Sequence, residues 1–261
     1  MQRWVAAVAY HGAAYSGWQR QPDAVTVQGC VEQALSVVAD HAITVTCAGR
    51  TDSGVHAQGQ IIHFDSSAKR DSRQWLLGVN THLPSTIGLL WVLPITADFD
   101  ARFSATARHY IYVINNSQVP NPLMREHALW EGRSLDCDVL AQVGVSWLGE
   151  QDFSSFRDSQ CQAQHPRRRL LDWSVSTRGD FIFLHVVANA FLHHMVRNMV
   201  GVALRIAMHK KPVVWAKEVL LARDRSCADV TVSACGLYLH RVYYPELYQR
   251  DFPQLGASLW W

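Results

Sequence analysis

Residues 49–57 read Gly49-Arg50-Thr51-Asp52-Ser53-Gly54-Val55-His56-Ala57, and they set a single carboxylate among glycines just before an apolar run at 61–64. Glycines at 49, 54 and 59 allow the backbone to bend tightly and to approach a ligand closely. Arg50 lies two residues from Asp52, so in an extended conformation both side chains face the same side. The stretch predicts a loop that presents an aspartate, either as a surface turn with an ion pair or as a binding site.

Composition sets the class of protein. With 261 residues and 49% apolar content, the chain is long enough to bury a sizeable core in one large or two small domains. Its net charge of only +2 excludes a global polycation, so binding to nucleic acid would need a local basic patch. Taken singly, each basic cluster is also typical of a solvated face or a helix end. The candidate clusters are Lys69-Arg70 with Arg73, Arg102 with Arg108, Arg167 to Arg169, Arg197 with Arg205, and Lys210-Lys211.

Membrane and redox signals are weak. No run approaches the roughly 20 apolar residues that span a bilayer, so no membrane association is expected. The six cysteines include no C-x-x-C pair, and their scatter indicates reduced core thiols rather than a disulfide framework. The cytoplasm is therefore the expected compartment.

Strand and helix patterns alternate in two similar series. Val27, Val31, Leu35 and their neighbours recur at the spacing of a core-facing helix. Asp136 is a plausible N-cap for a helix from about 137 to 148. The pattern predicts a mixed α/β (α+β) fold with an N-terminal half at 1–104 and a C-terminal half at 105–261. The expected strands are 4–10, 60–65, 87–93, 106–114, 171–176, 181–187 and 237–243, and the other expected helices are 72–82, 191–209 and one beginning at Pro212.

The 49–57 loop resembles the nucleophile motif of the TruA family of tRNA pseudouridine synthases, a G-R-T-D-x-G-V-H-A loop. The resemblance runs in order from about residue 5 to 245. It departs at Ser53, where alanine is common, and at His109 and Ile111, where basic residues often flank the pocket tyrosine. The other matching segments are Ala9 to Gly12, Tyr15 to Gln19, Ala101 to Tyr112, Phe191 to Gly201, and Gly236 to Leu239.

The resemblance implies an isomerase with the pseudouridine synthase fold, whose two sheet-plus-helix halves surround a central basic cleft. It implies Asp52 as the catalytic nucleophile, which attacks either C6 of uracil or C1′ of ribose, with no cofactor and no metal. An ordinary aspartate is almost fully ionised at pH 7, so it can attack without a general base. Tyr110 would pack against the target base. Arg50 would compensate for flipping that base out of the RNA.

The same resemblance implies tRNA as substrate, modified at uridines of the anticodon stem-loop at tRNA positions 38, 39 and 40. It also implies a homodimer in which one tRNA touches both subunits. The residues implied in tRNA contact are Arg70, Phe99, Asp100, Ala101, Arg102, Phe103, Gln160, Cys161 and Gln162.

Two other function classes stay open. A non-catalytic relative would bind tRNA and leave uridine unchanged. An aspartyl phosphotransferase would need Mg²⁺ and typically a second nearby carboxylate, which the 49–59 loop lacks. His193-His194 lacks the H-E-x-x-H spacing of a zinc helix, the glycine loop lacks the G-K-[ST] ending of a P-loop, and no serine sits in a G-x-S-x-G elbow.

Overall fold

Two units make up the chain in the computed structural model, which describes residues 1–254. Among these residues, the first unit contains Met1–Arg108 and 238–254, and the second contains His109–Leu237. The expected boundary at 104/105 therefore lies close to the observed one, whereas the last part of the expected second half belongs to the first unit. Trp260 and Trp261, to which the sequence assigns no role, lie outside the described residues.

The first unit begins with a sheet and two helices. Its central strand, Gln2–Tyr10, pairs antiparallel with His56–Ser66 on one side and with Ile87–Ile95 on the other. A short strand, Thr46–Cys47, pairs antiparallel with the strand His56–Ser66. The elements are β1 (Gln2–Tyr10), α1 (Val27–Ala39), β2 (Thr46–Cys47), β3 (His56–Ser66), α2 (Ser72–His82) and β4 (Ile87–Ile95).

The core of this unit explains why its first strand is apolar throughout. Five consecutive residues of β1, from Trp4 to Val8, are buried, which indicates a strand covered on both faces. Trp75 of α2 packs edge-on against Trp4 and Phe64, with ring centroids 6.0 and 5.1 Å apart. Asp71 caps α2 in a complete capping box with Gln74.

The strands of the second unit follow the order β5-β9-β8-β7, and the short strand β6 pairs parallel with the end of β5. A hairpin joins β8 to β9, and Gly179 occupies its turn at φ 58°. Asp136 caps α3, as the sequence predicts. The elements are β5 (Ala107–Asn115), β6 (Leu129–Trp130), α3 (Cys137–Val145), β7 (Gly149–Asp152), β8 (Arg167–Arg178), β9 (Phe181–Ala188), α4 (Met195–Ala207) and α5 (Trp215–Ala222).

The chain then returns to the first unit. Strand β10 (Leu237–Tyr243) pairs parallel with β3, where Tyr238 faces His56 and Leu239 faces Ala57. Helix α6 (Glu246–Gln249) follows, and Tyr244, Tyr248 and Phe252 surround the buried ring of Phe99. This parallel pairing joins the last strand of the chain to β3 of the first unit.

The expected elements are present, with shifted ends in the second unit. The helix expected at 191–209 spans only Met195–Ala207, because His194 adopts a left-handed conformation at φ 60° immediately before it. The helix expected at 137–148 ends at Val145, and the one expected from Pro212 begins at Trp215. None of the helices in residues 1–254 combines the length and apolar character needed to cross a membrane.

Candidate active site

The Asp52 loop, residues 49–55, joins β2 to β3 in the first unit. Its turn is closed by a hydrogen bond of 3.2 Å from the Val55 N–H to the Asp52 carbonyl, and Gly54 takes the left-handed conformation at φ 79°. Asp52 is half-buried and Arg50 is exposed. The loop therefore keeps the Asp52 carboxylate partly open to solvent while its backbone turns sharply.

Two glycines outside the motif let another segment press against this loop. A Cβ on Gly12 would lie 2.0 Å from the Val55 carbonyl oxygen, which no side chain tolerates. Gly17, at φ 87°, would place a Cβ 2.9 Å from the Thr51 carbonyl oxygen. The next residue, Trp18, donates its N–H to the same carbonyl at 3.0 Å. The backbone between β1 and α1 thus supports the Asp52 loop by direct contact.

Side chains hold the loop at three further points. The hydroxyls of Tyr10 and Thr51 form a buried hydrogen bond of 2.8 Å. Gln60 donates its amide to the Gly49 carbonyl at 2.6 Å, and the Ser53 hydroxyl donates to the Tyr15 carbonyl at 3.1 Å. These bonds restrain the residues on both sides of Asp52, so the carboxylate is carried on a rigid support.

Arg108 stabilises the backbone at the start of the Asp52 loop and does not form part of a surface patch. Its guanidinium is buried and donates to the Ala48 carbonyl at 2.7 and 3.2 Å, directly before the loop. It also donates to the carbonyls of Arg102 and Ala105, at 2.7 and 3.2 Å. The candidate basic cluster of Arg102 with Arg108 is therefore not a joint surface, because only Arg102 is exposed.

His56 closes the loop on its C-terminal side. Its Nδ1 accepts the Gly12 N–H at 3.0 Å, and its ring stacks on Tyr238 with centroids 4.6 Å apart. The His11 ring lies at the same centroid distance on another side. His56 therefore links the Asp52 loop, the segment that supports it, and the last strand of the sheet.

The interior face of this loop is shielded from water. Burial raises the pKa of the Cys47 thiol to about 12, although the nearby charge of Arg50 acts in the opposite direction. Burial also raises the pKa of Tyr10 above its ordinary value, against the hydrogen bonds from Thr51 and Gln60. Both groups are therefore neutral at physiological pH.

The 99–103 segment divides into buried and exposed residues. Phe99 and Ala101 are fully buried, and the Ala101 N–H and carbonyl bond to His63 and Tyr244 at 2.9 and 2.7 Å. The Asp100 carboxylate accepts the N–H groups of Arg102 and Phe103. Only those last two side chains face solvent, with the Arg102 guanidinium 5.2 Å from the Phe103 ring centre.

Arg70 is likewise exposed, just before α2. In the 99–103 segment, Phe99, Asp100 and Ala101 shape the backbone, and Arg102 and Phe103 form its outward surface. A contact with RNA at this segment is therefore available to two of its five residues.

Tyr110 and Phe191 form an aromatic pair in the second unit. Tyr110 lies on β5, is 7% exposed, and meets the Phe191 ring edge-on at a centroid distance of 5.0 Å. An aromatic side chain packed in this way has one fixed orientation, which suits it to be one wall of a pocket for a flat base.

The 158–162 loop of the second unit is held by charged groups. The Asp158 carboxylate binds His194 Nδ1 at 2.9 Å and lies 3.3 Å from His193 Nδ1. Gln160 donates its N–H to the same carboxylate at 2.9 Å, and His193 donates its N–H to the Cys161 sulfur at 3.4 Å. Gln160 and Gln162 are exposed beside this connection, and Cys161 is half-buried.

The pKa of Asp158 reflects these contacts. Burial opposes ionisation, but the Gln160 N–H and the two histidines together lower the pKa of Asp158 below its ordinary value. The carboxylate is therefore ionised at neutral pH, and it ties the loop to the start of α4.

Sequence reasoning missed the supports of the Asp52 loop. Gly12, Gly17 and Arg108 act through backbone contacts with residues far away in the chain, and no local pattern reveals such contacts. Of the three glycines expected to bend the loop, Gly54 has a positive φ, whereas a Cβ on Gly49 would meet nothing within 4 Å. The signal that was available is the Tyr10-His11-Gly12 segment, whose residues contact the loop.

Comparison with known proteins identifies the family. A model of the tRNA pseudouridine synthase family matches residues 6–104 and 145–245. Tyr110 lies between the two matched segments. A tRNA pseudouridine synthase A of Hydrogenovibrio crunogenus is 47% identical over 253 residues, covering 97% of each chain. Those of Alcanivorax borkumensis and Escherichia coli are 44% and 43% identical, over 100% and 95% of this chain and 97% and 92% of theirs. The chain belongs to the tRNA pseudouridine synthase family.

Proposed function

We propose that this chain isomerises uridine to pseudouridine in tRNA and that Asp52 is its nucleophile. The observation that carries this proposal is the Asp52 loop itself, in which a half-buried carboxylate is mounted on a backbone held by Gly12, Gly17 and Arg108. The loop falls within the first segment matched by the family model. Membership of the family supplies the substrate class.

The reaction exchanges one bond to the ribose for another. The Asp52 carboxylate attacks C1′ of the ribose or C6 of the uracil, and the C1′–N1 bond breaks. The base turns so that C5 joins C1′, the bond between Asp52 and the substrate breaks to restore the carboxylate, the hydrogen on C5 leaves as a proton, and N1 gains one. The product has the same atoms as the substrate, so the reaction needs neither an oxidant nor a reductant, and an ionised carboxylate needs no metal to attack.

Rigid mounting of the carboxylate is the contribution of the fold. Attack requires the oxygen at roughly 3–3.5 Å from the reacting carbon, and small misplacements reduce rates strongly. Hydrogen bonds from Tyr10, Gln60 and Trp18 restrain the residues on both sides of Asp52 before substrate arrives. Binding energy from the tRNA is then not consumed in ordering the loop.

Tyr110 and Arg50 are the other residues proposed to act on the target nucleotide. A uridine stacked in RNA cannot reach a carboxylate, so the nucleotide must flip out at a cost of about a few kcal/mol. Tyr110, fixed by Phe191, packs against the flipped base. Arg50 is exposed two residues before Asp52, and its guanidinium fills the vacated stack or binds the displaced phosphate.

The anticodon stem-loop is the proposed target within tRNA. Exposed residues that suit contact with the RNA backbone or an unstacked base are Arg70, Arg102 and Phe103 in the first unit and Gln160 and Gln162 in the second. Phe99, Asp100, Ala101 and Cys161 act by holding these segments in shape. We further propose that the chain works as a homodimer in the cytoplasm, where its six thiols, which form no disulfide, stay reduced.

Tritium release from tRNA carrying [5-³H]uridine tests the activity, because joining C5 to ribose expels the hydrogen at C5. We expect release by the wild type in the presence of EDTA and none above background from Asp52→Asn. Asp52→Asn should still bind tRNA, since it preserves the shape of the loop. Asp23→Asn is the matched control, because Asp23 is an exposed carboxylate in a surface turn of the same unit.

The outcomes separate the function classes. Release by the wild type that EDTA abolishes would show that the isomerisation depends on a metal ion. An aspartyl phosphotransferase would give no release at all, because phosphoryl transfer leaves the C5–H bond of uridine intact. A folded wild type that binds tRNA without release would be a non-catalytic relative. Equal release by Asp52→Asn would move the nucleophile to another residue.

A further inference from the structure

A basic cavity in the second unit has no part in the chemistry described above. It lies where the C-terminal end of α4, the turn after it, the start of α5 and residues 228–230 meet, and its volume is about 350 Å³. Among the lining residues, Arg205, Lys210 and Lys211 are cationic and Asp229 is the only anion. The lining therefore carries a surplus of positive charge, with the Trp215 indole as its aromatic wall.

The one carboxylate in this cavity is already occupied. Arg205 binds Asp229 through both Nε and a terminal nitrogen, and Asp229 is only 10% exposed. The Val230 N–H donates to the same carboxylate at 2.7 Å. Arg205 and Asp229 therefore neutralise each other as part of the wall, and the lysines supply the charge that a ligand would meet.

A carboxylate that the charge of Lys210 reaches, Glu131, is also engaged. Glu131 holds Arg133 in a bidentate pair, with both distances 2.7 Å. That pair is the main cause of the lowered pKa of Glu131, and the charge of Lys210 is the smallest of the causes. Lys210 is thus near a carboxylate that already has its cation.

The backbone fixes where the lysines emerge. Residues 228–230 press against α4 at Gly201, where a Cβ would lie 2.3 Å from the Val230 carbonyl oxygen. His209 ends α4 in a left-handed conformation at φ 55°, and the Lys210 N–H donates to the Arg205 carbonyl at 3.2 Å. The Lys211 ammonium lies 5.3 Å from the centre of the Trp215 ring. This turn directs adjacent lysines to one cavity.

We propose that this cavity binds phosphates of the tRNA backbone, a contact separate from recognition of the target uridine. The inference rests on the proposed function, which supplies a polyanionic substrate. Lysines bind phosphates as point charges with adjustable geometry, as expected for a backbone contact that carries no sequence information. The cavity belongs to a chain whose net charge is only +2, so local patches of this kind must supply the attraction for RNA.

The double variant Lys210→Ala/Lys211→Ala tests the proposal. Equilibrium binding of an unmodified tRNA transcript is measured from low to high salt, together with kcat and KM for tritium release. Each lost phosphate contact should lower the slope of log affinity against log salt by about 0.7–0.9, so the loss of two contacts should lower the slope by about 1.4–1.8. Near 0.1 M salt the affinity should fall about five- to tenfold per lysine, with KM raised and kcat unchanged.

Lys217→Ala is the control, since Lys217 is an exposed lysine of α5 that does not line the cavity. An unchanged salt slope and KM in a double variant of lowered melting temperature would overturn the proposal, because the lysines would then only stabilise the end of α4. Loss of kcat would also contradict it. Failure of the wild type to bind or isomerise tRNA would instead reject the proposed function.

Discussion

The Asp52 loop and the 158–162 loop are held in contrasting ways. The first is fixed by glycines pressed against its backbone, by hydrogen bonds from Tyr10, Gln60 and Trp18, and by the Arg108 guanidinium on the Ala48 carbonyl. The second is tied to α4 through one ionised carboxylate, Asp158, and two histidines. The contacts named for the loop that carries the proposed nucleophile therefore include no carboxylate, whereas the loop proposed to touch RNA is held by the Asp158 carboxylate, whose pKa is lowered in the folded protein.

Gly12→Ala should break the support of the Asp52 loop most severely. The new Cβ would overlap the Val55 carbonyl, which belongs to backbone and cannot rotate away. We expect a loss of about 3 kcal/mol or more in the free energy of unfolding and a near-complete loss of turnover. Chemical denaturation and tritium release measure both effects. Gly49→Ala is the control, since its Cβ meets nothing within 4 Å; similar damage from that variant would contradict the argument.

Tyr10→Phe should give a smaller effect by removing one hydrogen bond. The Thr51 hydroxyl would lose its buried partner at a cost of about 1–2 kcal/mol. The Asp52 loop would loosen, so we expect kcat to fall severalfold while tRNA affinity stays the same. Tyr15→Phe is the matched control, because it removes a comparable bond to Thr86. Equal kcat values for the two variants would show that rigidity at Thr51 does not matter.

Asp158→Asn should lower the stability of the protein by an amount that depends on pH, in contrast to Tyr10→Phe. Folding lowers the pKa of Asp158, so its stabilisation is present above the ordinary aspartate pKa of about 4 and is lost as pH falls through the lowered value. We expect the variant to be less stable by about 1 kcal/mol at neutral pH, with the difference shrinking below about pH 4. Melting curves at several pH values measure this. The deficit of Tyr10→Phe should stay constant over the same range.

Alkylation of the cysteine beside each loop should give the smallest effect. Because burial raises the pKa of Cys47 to about 12, roughly one thiol in ten thousand is ionised at pH 8, and iodoacetamide should modify it slowly. Cys161 should react earlier, and peptide mass spectrometry over time would show the order. Modification of Cys47 first would mean that the Asp52 loop opens more readily than its contacts indicate.

Local signals predicted much of this fold. The helix expected at 72–82 is observed as α2, and the capping box of Asp71 and Gln74 explains where it begins. The last strand, expected at 237–243, is observed there. In contrast, α4 starts four residues later than its apolar pattern suggests, because residues 191–194 are positioned by Asp158 from another segment.

At the site, too, the features set by neighbouring residues could be predicted and those set by distant segments could not. The motif indicated Asp52 and its neighbours because the relevant residues are adjacent in sequence. Gly12, Gly17 and Arg108 were not recognised, since each acts by contacting a carbonyl more than thirty residues away. The roles of Phe99 and Ala101 could not be separated from that of Arg102 until their burial was known.

The pairing of β10 with β3 has a consequence for synthesis of the protein. A ribosome that has made the chain as far as residue 236 has already produced Asp52 and every glycine that supports it, yet the first sheet still lacks the strand that stacks Tyr238 on His56. The support of the nucleophile loop is therefore incomplete until β10 has been made. Nascent chains that stop before β10 would carry the complete motif next to an unfinished sheet.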